Sequence, residues 1–277
     1  MIDGLTSTTA LHNGVTMPWL GLGVYKVSDG ADVEQAVHAA LEVGYRSVDT
    51  ATFYGNEAGV GRAIADSSLS REEIFVTSKL WNDDHGYDAA LRAFDASMAK
   101  LGFEYLDLYL IHWPLPRKDL YRETWKALER LYRDGRVRAI GVSNFTEHHL
   151  DRLMTECEVK PMVNQVEYHP RLTQESLLGY CKEHEIQLEA WSPLMRAKIF
   201  DNPTLREIAE RHEKSVAQVV LRWDLQNGVV TIPKSVNPSR IASNAQVFDF
   251  ELSTEDMARI SELNTDTRIG PDPEELN

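Results

Sequence analysis

Eight times along the chain a short run of β-branched and apolar residues is followed by a longer amphipathic stretch. This alternation limits the fold more than any other feature. The short runs are residues 20–24, 46–49, 74–79, 107–112, 137–142, 162–166, 187–191 and 229–232. Short, mainly apolar runs suit parallel strands buried on both faces. Helical periodicity covers 31–43, 56–66, 87–101, 121–134, 146–156, 173–184 and 238–248. Two more helical patterns, 202–212 and 215–226, stand between the last two strands, and another covers 253–264. Asn202-Pro203, Asn237-Pro238 and Thr173 ahead of Ser176 are the expected helix starts.

No Pro/Ser-rich linker interrupts the series. The prediction is therefore an α/β chain folded as one (β/α)8 barrel domain over residues 1–277, with two extra helices. Residues 8–11 and 16–18, around the turn Asn13-Gly14, predict a hairpin over the barrel floor. A doubly wound dinucleotide fold would show G-x-G-x-x-G after an early strand. Gly21-Leu-Gly23 lacks the third glycine.

A chain of 277 residues can bury a large core, so neither disulfide nor structural metal is required. Cys157 and Cys181 read as two reduced thiols. The net charge of −14 disfavours nucleic acid and anionic membranes as partners. Any phosphate must meet a local cluster of positive charge. The first nine residues lack a signal-peptide pattern, and no run approaches the ~20 apolar residues of a membrane span. The expectation is a cytoplasmic protein.

In a barrel, reactive side chains gather at the C-terminal strand ends. That rule selects Asp49, Tyr54, Lys79 and His112. Taken singly, each has a structural explanation: a snorkelling lysine, a packing tyrosine, a satisfied histidine. At successive strand ends, their types fit one chemistry. A phenol has a pKa of about 10, which a neighbouring ammonium is expected to lower. A buried lysine needs a partner, and Asp49 supplies one. His112 can donate a hydrogen bond to a substrate oxygen. Such a group polarises and protonates a carbonyl; it is neither a metal site nor a nucleophilic triad.

At these residues the sequence resembles the aldo-keto reductase superfamily. Gly44-Tyr-Arg-Ser-Val-Asp-Thr-Ala-Thr-Phe-Tyr-Gly-Asn-Glu57 is similar to one signature, and Ile232-Pro-Lys-Ser-Val-Asn-Pro-Ser-Arg240 to another. Between them lie Leu110-Ile-His-Trp-Pro114, Gly141-Val-Ser-Asn-Phe145, Asn164-Gln-Val-Glu167 and Ala190-Trp-Ser-Pro-Leu194. The resemblance implies hydride transfer from NADPH to aldehydes and ketones, without a metal. Tyr54 would be the general acid, Lys79 and Asp49 its tuners, and His112 the orienting donor. It further implies that Ser143, Asn144 and Gln165 hold the nicotinamide carboxamide, with Trp191 stacked on the ring beside Ser192 and Leu194. Lys234, Ser235 and Arg240 would hold the 2′-phosphate, with Val236 also against the cofactor, and Asn244 would reach the adenine. The free N–H groups of the helix begun by Asn237-Pro238 are expected to favour that anion.

Tyr25, Trp81 and Trp113 match the aromatic walls of the substrate pocket, whereas Trp19, ahead of the first strand, is expected to pack under the floor. The compact length resembles a bacterial branch acting on glyoxal, methylglyoxal and diketogluconate, whose members are monomers. Three positions depart from the pattern. Trp191 replaces a common Tyr or Phe, Ser243 a common Glu, and Ala197-Lys198 fills a loop often containing Gly. Two other readings are a nucleotide-sensing binding protein of the same fold and an enzyme working mainly in alcohol oxidation.

Overall fold

The computed structural model describes residues 2–276. Strands β1 (Thr8–Ala10) and β2 (Thr16–Pro18) form an antiparallel hairpin, with Gly14 in the left-handed region at φ 87 in the turn. Then come β3 (Leu22–Gly23), α1 (Ala31–Val43), β4 (Ser47–Asp49), α2 (Glu57–Ala65), β5 (Phe75–Leu80), α3 (Tyr87–Leu101), β6 (Leu106–Ile111) and α4 (Tyr121–Arg133). The second half adds β7 (Val137–Ser143), α5 (Glu147–Met154), β8 (Val163–Glu167), α6 (Glu175–Glu183), β9 (Gln187–Trp191), α7 (Pro203–Arg211), α8 (Val216–Gln226), β10 (Val230–Thr231), α9 (Pro238–Ala245) and α10 (Thr254–Ser261).

Strands β3 to β10 pair in parallel, each with its neighbour in sequence. The first and last then meet. Gly21 N–H donates to Thr231 O at 3.0 Å, Thr231 N–H to Trp19 O at 3.0 Å, and Gly23 N–H to Pro233 O at 3.3 Å. A Cβ on Gly23 would stand 2.8 Å from Ile232 O. The glycine pair that failed as a dinucleotide fingerprint lies at the barrel's seam, and Gly23 lets two backbones approach there. The (β/α)8 expectation holds, as does the hairpin. Trp19 packs, half-buried, against the core.

Barrel strands are almost wholly buried, as β5 and β6 show from end to end. Asn202 and Asn237 cap as expected, accepting from Leu205 N and Arg240 N. Thr173 does not. Its N–H donates to Asn264 Oδ1, and the helix starts after Gln174, which sits at φ 44 with its amide bonded to Glu167 O. The Thr173 hydroxyl caps nothing and is buried without a hydrogen-bond partner among the described residues. Both cysteines are free thiols. No helix among the described residues is long and apolar enough to cross a membrane.

Candidate active site

β4 ends on Asp49, and a single 3-10 turn, Thr52–Tyr54, presents Tyr54 before Gly55 reverses the chain at φ 68. β5 carries Lys79, and His112 directly follows β6, its N–H bonded to Leu80 O at 3.2 Å. These four side chains meet. Lys79 Nζ lies 2.6 and 2.7 Å from the two oxygens of Asp49, 3.0 Å from Thr50 O and 3.5 Å from the Tyr54 hydroxyl. The Tyr54 and His112 ring centroids are 5.8 Å apart, edge to face. Lys79 is 0% exposed, so its charge is tolerable only because Asp49 cancels it.

The electrostatics correct one expectation. Burial, followed by the charge of Asp49 and those that Tyr25 and Glu189 carry when ionised, pushes the Tyr54 phenol well above its ordinary pKa. Burial and these charges outweigh the Lys79 ammonium, which is paired with Asp49. Tyr54 therefore holds its proton throughout the physiological range. Burial, then the Lys79 charge, holds His112 far below its usual value, so the imidazole is neutral. Its Nδ1 is buried without a partner among the described residues. An unpartnered lone pair is better tolerated than an unpartnered N–H, which places the proton on Nε2. His112 is a hydrogen-bond donor rather than an acid.

Beside this group, Gln165 Nε2 donates to Asp49 Oδ2 at 2.8 Å and to Glu189 Oε2 at 2.7 Å. Both amide protons are used, and Gln165 Oε1 remains as an acceptor without a protein partner among the described residues. Ser143 Oγ donates to Gln165 O at 2.7 Å. Asn144, left-handed at φ 63, donates to His112 O and Ser143 Oγ and accepts from Trp191 Nε1 at 2.8 Å. Ser143, Asn144, Gln165 and Trp191 thus form one connected wall next to Asp49, Tyr54, Lys79 and His112. A phenylalanine at position 191 could not make that bond to Asn144.

Farther round the mouth, Lys234, Val236 and Arg240 are exposed, and Ser235 and Asn244 are buried. Neither Lys234 nor Arg240 has an ion-pair partner among the described residues. A cavity of about 250 Å³ opens here, lined by Lys26, Ser28, Asp32, Gln35, Lys234 and Val236. The helix terminus offers less than expected. Pro238 has no N–H, and Asn237 Oδ1 takes that of Arg240. Side-chain cations must supply most of the attraction for an anion. In the loop after β9, Ser192 lies at φ 53 and Ala197 at φ 68, a conformation glycine adopts without strain.

The sequence profile of the aldo/keto reductase family matches residues 19–265. The chain belongs to the aldo/keto reductase family. It is 60% identical to glyoxal reductase of Bacillus subtilis over 276 residues, covering 100% of this chain and 99% of that protein. It is 49% identical to methylglyoxal reductase DkgA of Salmonella typhimurium, over 96% of each. Among solved structures, a point mutant of Gox0644 in complex with NADPH superposes with a TM-score of 0.93 at 46% identity, covering 98% of both chains. An aldo-keto reductase from a Medee basin deep-sea metagenome library gives 0.94 at 48%, over 97% of this chain and 99% of that one.

In this aldo/keto reductase the three aromatic walls are not equivalent. Tyr25 is 36% exposed and packs 5.0 Å from Tyr54, and Trp81 stands edge-on to His112 at 5.2 Å. Trp113 is only 7% exposed and stacks behind His112, so it backs the wall more than it forms it. Sequence reasoning missed Phe53, which is 51% exposed and stacked on Trp81 at 3.8 Å. Its position next to Tyr54 was the available signal. Lys26, two residues beyond Val24, was also missed.

Gly270 was missed as well, and no local pattern marks it. A Cβ there would stand 2.4 Å from the Trp191 indole. Glu167 accepts from Ile269 N and Gly270 N at 2.6 and 2.9 Å, which holds the C-terminal segment against that ring.

Proposed function

We propose that the protein is an NADPH-dependent reductase converting small aldehydes and ketones, glyoxal and methylglyoxal among them, into alcohols. The observation that carries this reading is the contact chain from Asp49 through Lys79 to a protonated Tyr54, beside a neutral His112. The named activities of the glyoxal and methylglyoxal reductase relatives, and the NADPH bound by Gox0644, support it.

The residues present fit the cofactor. Gln165 Oε1 and the second lone pair of Asn144 Oδ1 would accept from the carboxamide N–H groups, with Ser143 supporting both. Trp191, with Ser192 and Leu194, would flank the nicotinamide. Lys234 and Arg240 would hold the 2′-phosphate with Ser235 and Val236, and Asn244 would face the adenine. Bound NADPH supplies the hydride.

His112 donates from Nε2 to the carbonyl oxygen, orienting and polarising it. The O–H bond of Tyr54 breaks as that of the alcohol forms. The high pKa of Tyr54 does not prevent this, because the accepting oxygen becomes alkoxide-like and is a stronger base than a phenolate. Lys79 Nζ, 3.5 Å from the Tyr54 oxygen, would donate a hydrogen bond to the phenolate as it forms, and Asp49 keeps Lys79 charged and in place. Tyr25, Phe53, Trp81 and Trp113 form an aromatic approach suited to small carbonyls. Two free thiols fit a reducing compartment, which supports assigning the protein to the cytoplasm, and we read it as one barrel domain and a monomer.

Steady NADPH consumption with methylglyoxal at neutral pH tests the reading. Tight NADPH binding without turnover on a carbonyl panel would replace it with a nucleotide sensor. Lys234→Ala or Arg240→Ala is expected to weaken NADPH binding about tenfold while leaving NADH binding nearly unchanged. Equal losses with both cofactors would contradict the phosphate assignment.

A further inference from the structure

Glu189, at the centre of β9, is 0% exposed, and its Oε1 has no hydrogen-bond partner among the described residues. Its Oε2 accepts from Gln165 Nε2 at 2.7 Å, and the other proton of that nitrogen goes to Asp49 Oδ2 at 2.8 Å. One amide group therefore bridges two carboxyl groups in a water-poor interior. Asp49 can be ionised because Lys79 meets both of its oxygens. Glu189 has no such cation. The remaining contacts of Lys79 are Thr50 O and Tyr54.

The groups facing Glu189 are Asp49 from β4, Tyr54 from the turn after it, Lys79 from β5 and the uncharged Gln165 from β8. On β10, Val230 stands in register with Glu189 and adds no charge. Burial, reinforced by the Asp49 charge, pushes Glu189 up to about 8, while the Gln165 bond and Lys79 oppose the shift. A carboxyl group placed in this way keeps its proton instead of adding a second buried negative charge.

We propose that Glu189 is a positioning residue of the reduction, held as a neutral acid beneath the catalytic group, and that loss of its proton disables the donor Tyr54. The inference rests on Tyr54 being that donor. With Glu189 neutral, no second buried carboxylate opposes the phenolate left by proton transfer, since the charge of Asp49 is met by Lys79. When Glu189 gives its proton to solvent, its carboxylate acts directly on Tyr54, which then holds its own proton more tightly. The neutral acid also anchors the Gln165 amide, so that Oε1 stays available at the mouth.

Infrared spectra of the cofactor-free enzyme, carrying glutamate isotopically labelled at the side-chain carboxyl, test this without a substitution. The expected result is a protonated-glutamate band at neutral pH that fades as pH rises through about 8, and that Glu189→Gln lacks. Carbonyl reduction by the parent should fall about tenfold per pH unit above that point. In Glu189→Gln the fall should move to higher pH. A parent without the band, or identical pH profiles for parent and variant, overturns the inference. Tyr54→Phe separates this failure from a failure of the site reading. Full turnover by Tyr54→Phe defeats both, whereas an inactive Tyr54→Phe with no glutamate band defeats the Glu189 inference alone.

Discussion

Tyr54→Phe is expected to lower carbonyl reduction by about 10²–10⁴-fold, the range usual for losing a general acid, with NADPH affinity changed less than about twofold. The substitution removes one oxygen and keeps the ring, so the packing against Tyr25 and the edge contact with His112 survive. Lys79 loses only its longest contact and keeps Asp49 and Thr50 O. No other group can replace the lost proton. His112 is held far below its ordinary pKa and carries almost no imidazolium at neutral pH. Steady-state turnover with methylglyoxal, together with a fluorescence titration of NADPH, checks both halves. Parental turnover would remove Tyr54 from its role.

Lys79→Met should be costly in a second way. The Met side chain fills much of the same volume without the charge, leaving the buried Asp49 with Gln165 Nε2 as its remaining side-chain donor. Breaking a buried ion pair by removing one partner costs about 3–5 kcal/mol. Denaturant unfolding at neutral pH should show that loss, with activity abolished.

The pH dependence of the defect has a definite sign. Without its cation, Asp49 in the folded variant should bind its proton more tightly than in the unfolded chain. The defect should therefore shrink as pH falls and grow as pH rises. Asp49→Asn combined with Lys79→Met removes the stranded charge. This double variant should regain most of the stability and none of the turnover. A Lys79→Met protein as stable as the parent would mean that the pair is not the buried unit the distances describe.

Much of the site was legible before any coordinates, because the rule that finds it is local. A polar residue ending an apolar run lies at the barrel mouth, and Asp49, Lys79 and His112 follow that rule. Trp191 at the end of β9 and the cap at Asn237 were legible for the same reason. The expected acidity of Tyr54 failed because that expectation weighed a single neighbour. Burial and three further groups act on this phenol, and two of them, Tyr25 and Glu189, come from other strand ends or strands.

The sequence by itself determined the eightfold alternation, the hairpin, the strand-end chemistry and the family, since each depends on residue order over a few turns or on contiguous motifs. Tertiary structure alone decided that Gly23 lets the barrel close on Ile232 O, that Thr173 donates its N–H to Asn264 while the helix starts after Gln174, and that Gly270 rests on Trp191. It alone joined Asp49 to Gln165, across 116 positions of chain, and through that amide to Glu189. Proton affinity inside a barrel depends on which charges surround a group and how little water remains, and those neighbours are chosen by the closure of the sheet.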